Sequence, residues 1–126
     1  MRLLLDTVTF IWAISSPERI SRRAMSALQS ETAVREMSSI SVSEIAIKQA
    51  RHKLMLDGAD VLRGIQDLQL RILPYTSEHA FHLFSLPVHH ADPFDRQIIA
   101  QALSEKIAVV TCDETFSRYD GVKVVW

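Results

Sequence analysis

A chain of 126 residues with 48 % hydrophobic content can bury one real core, and that composition excludes a disordered segment. The formal net charge of −1 argues, taken alone, against a nucleic-acid binder, and a single cysteine, Cys112, excludes an internal disulfide and points to a reducing cytoplasm. No apolar run approaches the ~20 residues of a membrane span, and the acid at position 6 arrives too early for a secretory leader.

"RLLL" (2–5) is a short apolar run closed by Asp6-Thr7 and reads as a buried strand. "FIWAI" follows as a helix, up to the Ser-Ser-Pro break at 15–17. Residues 18–30 place Ile20, Ala24, Ala27 and Leu28 at helical spacing, with Arg19, Arg22 and Arg23 beside them. A strand is expected over "MSSIS" (37–41), mainly from its position between two helices. From Ser41 to about Leu54 a helix puts Ile45, Ala46 and Ala50 on one side, and residues 57–70 repeat the pattern with Val61, Leu62, Ile65 and Leu68. "LRILPY" (70–75) suits a strand ended by Pro74, and "TSEHAFHLFSL" (76–86) a helix stopped by Pro87. A further helix runs from Phe94 to Ser104, with Asp92 as its N-cap, Pro93 in the first position and Asp95 in the first turn. "KIAVVT" (106–111) and "GVKVVW" (121–126) are the last strands. With no linker, internal repeat or low-complexity segment, residues 1–126 read as a single domain.

Strands separated by helices argue for an α/β fold, a parallel sheet with helices on both faces. Right-handed crossovers then put every strand-to-helix turn on one sheet edge, where ligands of such folds bind. Acids follow the strands: Asp6 after the first, Glu44 after the second, Asp113 after "AVVT", and Asp95 at the start of the helix leading into that strand. Each has a structural reading as well. Asp6 and Asp113 can cap helices, Ser41 and Glu44 have the spacing of a capping box, and Glu44 with Lys48 makes an i,i+4 pair.

As a set they carry more. The turns "LDTVT", "SVSEI" and "TCDET" contain no Lys or Arg, and Arg96 is the only base adjoining any of the four acids. Carboxylates crowded without counter-charge must take up a proton or bind a cation, and all-oxygen ligands favour Mg²⁺ or Mn²⁺. Such a site polarises phosphoryl groups and activates water, the equipment of a phosphodiesterase or nuclease. Setting those four aside leaves 14 bases against 11 acids, so the remaining surface is net basic. Two runs, Arg19/Arg22/Arg23 and Arg51/His52/Lys53, could meet phosphates, or could simply be solvated helix faces. His89 and His90 could ligate metal or contact RNA but fit packing or hydrogen-bonding roles better beside an all-carboxylate site. Ser41 and Ser43 read as caps, Cys112 as a small buried hydrophobe, and Trp12, Trp126 and the phenylalanines as core.

At "LLLDT", "SVSEIAIK", "LPVHHADPFDRQIIAQA" and "VVTCDETFSRYDGVKVVW" the chain resembles a PIN-domain ribonuclease, specifically a VapC-type toxin of a type II toxin–antitoxin pair. "DPFDRQIIAQA" is the most specific of these segments. The resemblance spans the chain and implies a three-layer α/β/α sandwich on a central parallel sheet. It implies RNA phosphodiester cleavage by a metal-activated water, with Mg²⁺ or Mn²⁺ held by Asp6, Glu44, Asp95 and Asp113. The "D-x-x-IA" pattern selects Asp95 over Asp92 for the third acid, and Asp92 stays a secondary residue. Thr7 and Thr111 match polar positions that line the site. Many relatives carry His where this chain has Val8. The implied partners are RNA, a cognate antitoxin whose C-terminal segment masks the site, and a second copy of the chain. Helices around Phe10–Ile14 and Ile45–Leu54 could supply contact surfaces, although core packing explains the same residues. Two rival functions stand beside this one: another metal-dependent phosphohydrolase, such as a small phosphatase, and a non-catalytic α/β binding module whose acids are only caps.

Overall fold

The computed structural model describes all 126 residues, Met1–Trp126. Five strands form one all-parallel sheet in the order β3-β2-β1-β4-β5: β1 (Arg2–Leu5), β2 (Val34–Ser38), β3 (Arg71–Leu73), β4 (Ala108–Val110) and β5 (Val124–Val125). Six helices connect them: α1 (Thr7–Ser15), α2 (Arg22–Gln29), α3 (Ser39–Ala50), α4 (Gly58–Asp67), α5 (Ser77–His82) and α6 (Pro93–Glu105). The period-2 alternation of the central strands divides the core in two. Leu3, Leu5, Ala108 and Val110 pack with Phe10, Ala24, Ile45 and Val61 from α1 to α4. Leu4 and Val109 face the other way, onto Ile98, Ile99 and Ala102 of α6 with Phe116 and Tyr119. The sheet is therefore covered on both faces, as an all-parallel sheet must be, and the α/β/α sandwich is the architecture found. No helix is long and apolar enough to cross a membrane.

Several boundaries differ from the sequence reading, each for a local reason. The second strand is Val34–Ser38, not 37–41, and α3 begins at Ser39. Arg35 and Glu36 disguise it, because charged residues seldom mark an inner strand. Here both are satisfied. Arg35 donates to the carbonyls of Leu28 and Leu68, and the Arg2 guanidinium forks onto Glu36 at 2.7 and 2.9 Å. The helix expected over 18–30 is split into a 3-10 turn at Pro17–Arg19 and α2, whose N-cap is Ser21. α3 ends at Ala50, four residues short of Leu54, in a turn where His52 has φ 57°. The helix expected over 57–70 is shorter too: Asp57 caps α4 in a capping box with Asp60, and the helix ends at Asp67. The last strand shrinks to Val124–Val125.

Two burial expectations fail, for Cys112 and for two of the phenylalanines, while the tryptophans do pack on the core. Cys112 is exposed. Phe81 and Phe84 are 70 % and 87 % exposed, their rings tilted against one another with centroids 5.9 Å apart on the surface rather than in the core. Trp12 and Trp126 pack against each other at the core's margin, with the Arg19 guanidinium 4.2 Å over the Trp12 ring.

α1 and α4 approach closely because Gly64 has no side chain. A Cβ there would lie 2.8 Å from Ile14 Cγ2 and 3.0 Å from Phe10 Cζ. Gly64→Val is expected to cost about 2 kcal/mol through overpacking, slightly offset by helix propensity. The urea midpoint reads this, and an unchanged midpoint would show that the two helices can part freely.

Candidate active site

The chain winds from β1 outward to β2 and β3 on one side, then returns to place β4 and β5 on the other. The switch point lies between β1 and β4, and their C-terminal ends open the crevice where ligands of such sheets bind. Asp6 follows β1 directly. It caps α1, with Oδ1 accepting the Thr9 N–H at 2.9 Å, and its Oδ2 accepts the Thr111 hydroxyl at 2.6 Å. Thr111 Oγ1 in turn accepts the Asp113 N–H at 3.0 Å. One hydroxyl thus ties the acid after β1 to the acid after β4. Asp113 caps the 3-10 turn Glu114–Arg118 by accepting the Thr115 N–H. Both acids are therefore caps, as the structural reading expected, and both still turn toward a common edge.

Glu44 reaches that edge from α3. The capping box expected for Ser41 and Glu44 does not form, because Ser38 is the N-cap and puts Ser41 inside the helix. Ser41 is instead fully buried beside Thr7. The Thr7 hydroxyl donates to Glu44 Oε1 at 2.6 Å and, having one proton, accepts from Ser41 at 2.9 Å. Ser43 is exposed and caps nothing. Lys48 pairs with Glu44 Oε2. This is more than a surface pair, since Glu44 is 5 % exposed. The hydrogen bond to Glu44 raises the Lys48 pKa, and Asp92 and Asp95 add to the rise.

Asp92 and Asp95 divide the roles at the start of α6. Asp92 Oδ1 accepts the N–H groups of Phe94 and Asp95, with Pro93 in the first turn, so Asp92 is the cap. Asp92→Ala should then cost about 1 kcal/mol by chemical denaturation, with a smaller effect on any rate. The Asp95 carboxylate accepts no hydrogen bond from the protein. Burial pushes its pKa up to about 7, and Asp92, Asp6, Glu44 and Asp113 each push it further in the same direction. Burial likewise raises Asp6, against its hydrogen bonds from Thr111 and Thr9, and Asp113 adds to that rise. The structure therefore brings all four predicted acids together, with Asp92 beside them.

Two neighbours that the sequence reading named, Lys48 as a surface pair and His90 in a packing or hydrogen-bonding role, are tied to the acids more closely than that reading specified. Lys48 supplies a counter-charge one helical turn beyond Glu44, a spacing visible in the sequence but readable as an ordinary surface pair. His90 Nε2 lies 2.9 Å from Asp113 Oδ2, and its other nitrogen meets the Tyr119 hydroxyl. Nothing in the sequence links positions 90, 113 and 119. Arg96, the base nearest in sequence, turns away and donates to the carbonyls of Leu86 and Pro87.

The donor set fits a hard divalent cation. Asp95 has both oxygens uncommitted, and Asp113 lies within reach: ligand atoms of Asp95, Asp113 and His90 all fall within 4.8 Å of one another. Asp6 and Glu44 accept one hydrogen bond at each oxygen, which leaves each oxygen a lone pair. Carboxylate oxygens are the ligands Mg²⁺ and Mn²⁺ select. A raised carboxyl pKa with no donor nearby marks the place where a cation would relieve the repulsion.

A family model described as the PIN domain matches residues 3–122. No curated protein matches the sequence. Among solved structures, the chain is similar to VapBC2 from Rickettsia felis bound to a DNA fragment from its promoter, with TM-score 0.74 and 17 % identity over 98 % of this chain and 97 % of that one. It is similar to DNA-bound VapBC from Salmonella typhimurium, with TM-score 0.68 and 22 % identity over 98 % and 96 % of the two chains. A toxin–antitoxin complex from Klebsiella pneumoniae gives TM-score 0.64 and 21 % identity over 95 % and 94 %. At these identities the likeness speaks to the fold. The family model speaks to descent, and since it runs from β1 almost to β5, across every acid gathered at the sheet edge, the chain belongs to the PIN domain family of nucleases.

Proposed function

We propose that the chain is a metal-dependent endoribonuclease and the toxin of a toxin–antitoxin pair. The observation that carries this is Asp95, a half-buried carboxyl without a donor among four other acids at one sheet edge, its pKa pushed up to about 7 by burial first and by those acids in addition. Asp6, Glu44, Asp95 and Asp113 would hold Mg²⁺ or Mn²⁺. A divalent cation there supplies Lewis acidity, lowering the pKa of water and polarising a phosphoryl oxygen. The rest of the work belongs to the chain. Thr111 orients Asp6, Thr7 orients Glu44, and Asp92 fixes the first turn of α6 from which Asp95 projects. Lys48 offsets part of the charge on Glu44.

Asp6 and Glu44 are buried at the sheet edge, while Asp95 and Asp113 are partly exposed there. A roomy cleft of about 630 Å³ lies elsewhere, between α3 and α4, lined by Val42, Ile45, Val61 and Leu62 among others. With the four acids set aside, 14 bases against 11 acids leave a net basic chain, which supports RNA despite the net charge of −1. Val8, 42 % exposed next to Thr7, offers no polar contact where relatives carry His.

The proposal extends to a protein antitoxin, in keeping with the VapBC complexes the chain is similar to, and to a homodimer, which light scattering of the purified chain tests. With Mn²⁺ the purified protein should cleave RNA and leave p-nitrophenyl phosphate intact. Expressed alone it should arrest growth, and the Asp6→Asn form at equal protein level should not. Hydrolysis of the phosphomonoester without RNA cleavage would favour a phosphatase. Arrest that survives combined changes at Asp6, Glu44 and Asp95 would show that any toxicity is not nucleolytic.

A further inference from the structure

His90 reaches the acids, with its Nε2 2.9 Å from Asp113 Oδ2. Its Nε2, Asp95 and Asp113 could be taken together for a mixed metal site. The hydrogen bonds around Tyr119 decide otherwise. The Tyr119 hydroxyl is buried and meets three groups: the N–H of His89 at 3.1 Å, the N–H of His90 at 3.0 Å, and His90 Nδ1 at 3.2 Å. A phenol oxygen has one proton and two lone pairs. Backbone N–H groups can only donate, so they occupy both lone pairs. The phenolic proton then has one remaining partner, His90 Nδ1, which must be unprotonated to accept it.

That fixes the other nitrogen. A neutral imidazole with an accepting Nδ1 carries its proton on Nε2. The Nε2–H faces Asp113 Oδ2 at 2.9 Å, where a carboxylate accepts it. The opposite tautomer fails twice over: Nδ1–H would be a third donor aimed at the phenol oxygen, and the Nε2 lone pair would face a carboxylate oxygen. The ring is also held in place. It lies nearly parallel to Tyr119, at 12° and 5.6 Å between centroids, and edge-on to Phe116 at 5.1 Å. Its side chain is 8 % exposed.

The geometry assigns His90 as a positioning residue: through the chain Tyr119 O–H to Nδ1 and Nε2–H to Asp113, it aims the Asp113 carboxylate at Asp95 and does not itself ligate the metal. Asp113 keeps one lone pair on each oxygen after accepting from His90 and Thr115. A fixed donor on one of those oxygens sets which way the remaining lone pairs point, as outer hydrogen bonds do for ligating carboxylates. The phenol explains why a tyrosine 29 residues downstream is buried against this pair of histidines. The assignment rests on the nuclease reading of the site, but its hydrogen-bond chain can be tested without it.

Long-range ¹H–¹⁵N spectra of the metal-free protein should show His90 with Nδ1 unprotonated and Nε2 protonated. Tyr119→Phe removes only the hydrogen bond at Nδ1, so its Nδ1 signal should shift while Nε2 stays protonated toward Asp113. Pulsed EPR of the Mn²⁺-loaded protein should show no ¹⁴N coupling from a directly bound imidazole. His90→Ala should lower kcat and Mn²⁺ affinity roughly 10–100-fold, with KM for RNA little changed. His90→Gln, which restores a donor toward Asp113, should recover most of the loss. A directly bound ¹⁴N that disappears in His90→Ala, an Nδ1–H tautomer, or an unchanged His90→Ala enzyme would each overturn the assignment. Both spectroscopic measurements use the parent protein, so a variant that fails to fold leaves the assignment exposed to them. Failure to bind Mn²⁺ at all would defeat the nuclease reading, while the tautomer measurement would still decide the hydrogen-bond chain.

Discussion

Asp95→Asn is expected to lower RNA cleavage by about 10²–10³-fold, the equivalent of several kcal/mol of lost charge stabilisation, while leaving the metal-free protein at least as stable as the parent. The two halves of this expectation have one cause. Asp95 accepts no hydrogen bond from the chain, so its replacement breaks no structural contact. It sits among four other acids that push its carboxyl toward the protonated form, so removing its charge relieves repulsion. Asp92→Asn gives the contrasting case. Asn caps about as well as Asp, so fold and most activity should survive. Initial rates on a labelled RNA with Mn²⁺, set beside thermal melts in EDTA, separate the two residues. If Asp92→Asn abolishes cleavage and Asp95→Asn does not, the roles of the pair are reversed.

What the sequence made legible follows from which interactions are local. Caps are local: Asp6, Asp57, Asp92 and Asp113 each bond a backbone N–H within the next three residues, and their residue types announce it. The strand-then-acid order, combined with a parallel sheet, was enough to bring Asp6, Glu44, Asp95 and Asp113 to one edge. Long-range satisfaction was not legible. β2 hides behind Arg35 and Glu36, because the partners that make them tolerable, Arg2 and the carbonyls of Leu28 and Leu68, belong to other elements. Ser41 has the spacing of a capping box, yet Ser38 takes the cap and Ser41 goes to hold Thr7. The link from Tyr119 through His90 to Asp113 joins residues whose spacing follows no motif. Exposure of Phe81 and Phe84 is another property that residue type alone misreports.

The melting temperature of the metal-free protein should fall as pH rises from 5 to 8, and Mn²⁺ should abolish most of that fall. The sign comes from Asp95. Its carboxyl has an ordinary value of 3.8 and is pushed up to about 7 in the folded chain. The folded state therefore holds a proton that the unfolded chain releases in this range. The stability it contributes is fully present below about 4 and is lost as pH rises through 7. Asp6, also raised, acts in the same direction. Asp113 and Glu105 are lowered, so their contributions vanish only in more acid solution and leave this window alone. A cation that binds the native state alone adds stability by mass action, about 2.7 kcal/mol at a hundredfold excess over Kd. It must displace the Asp95 proton to bind, so its effect should be larger at pH 8 than at pH 5.5. Asp95→Asn should flatten both the pH slope and the Mn²⁺ response. Carboxylates that served only as caps would give a different pair of curves: no response to Mn²⁺ at either pH, and the same pH slope in parent and mutant. Melts of both proteins at pH 5.5 and 8, in EDTA and then in millimolar Mn²⁺, decide between them. A parent whose melting temperature ignores Mn²⁺ at pH 8 would sink the metal site.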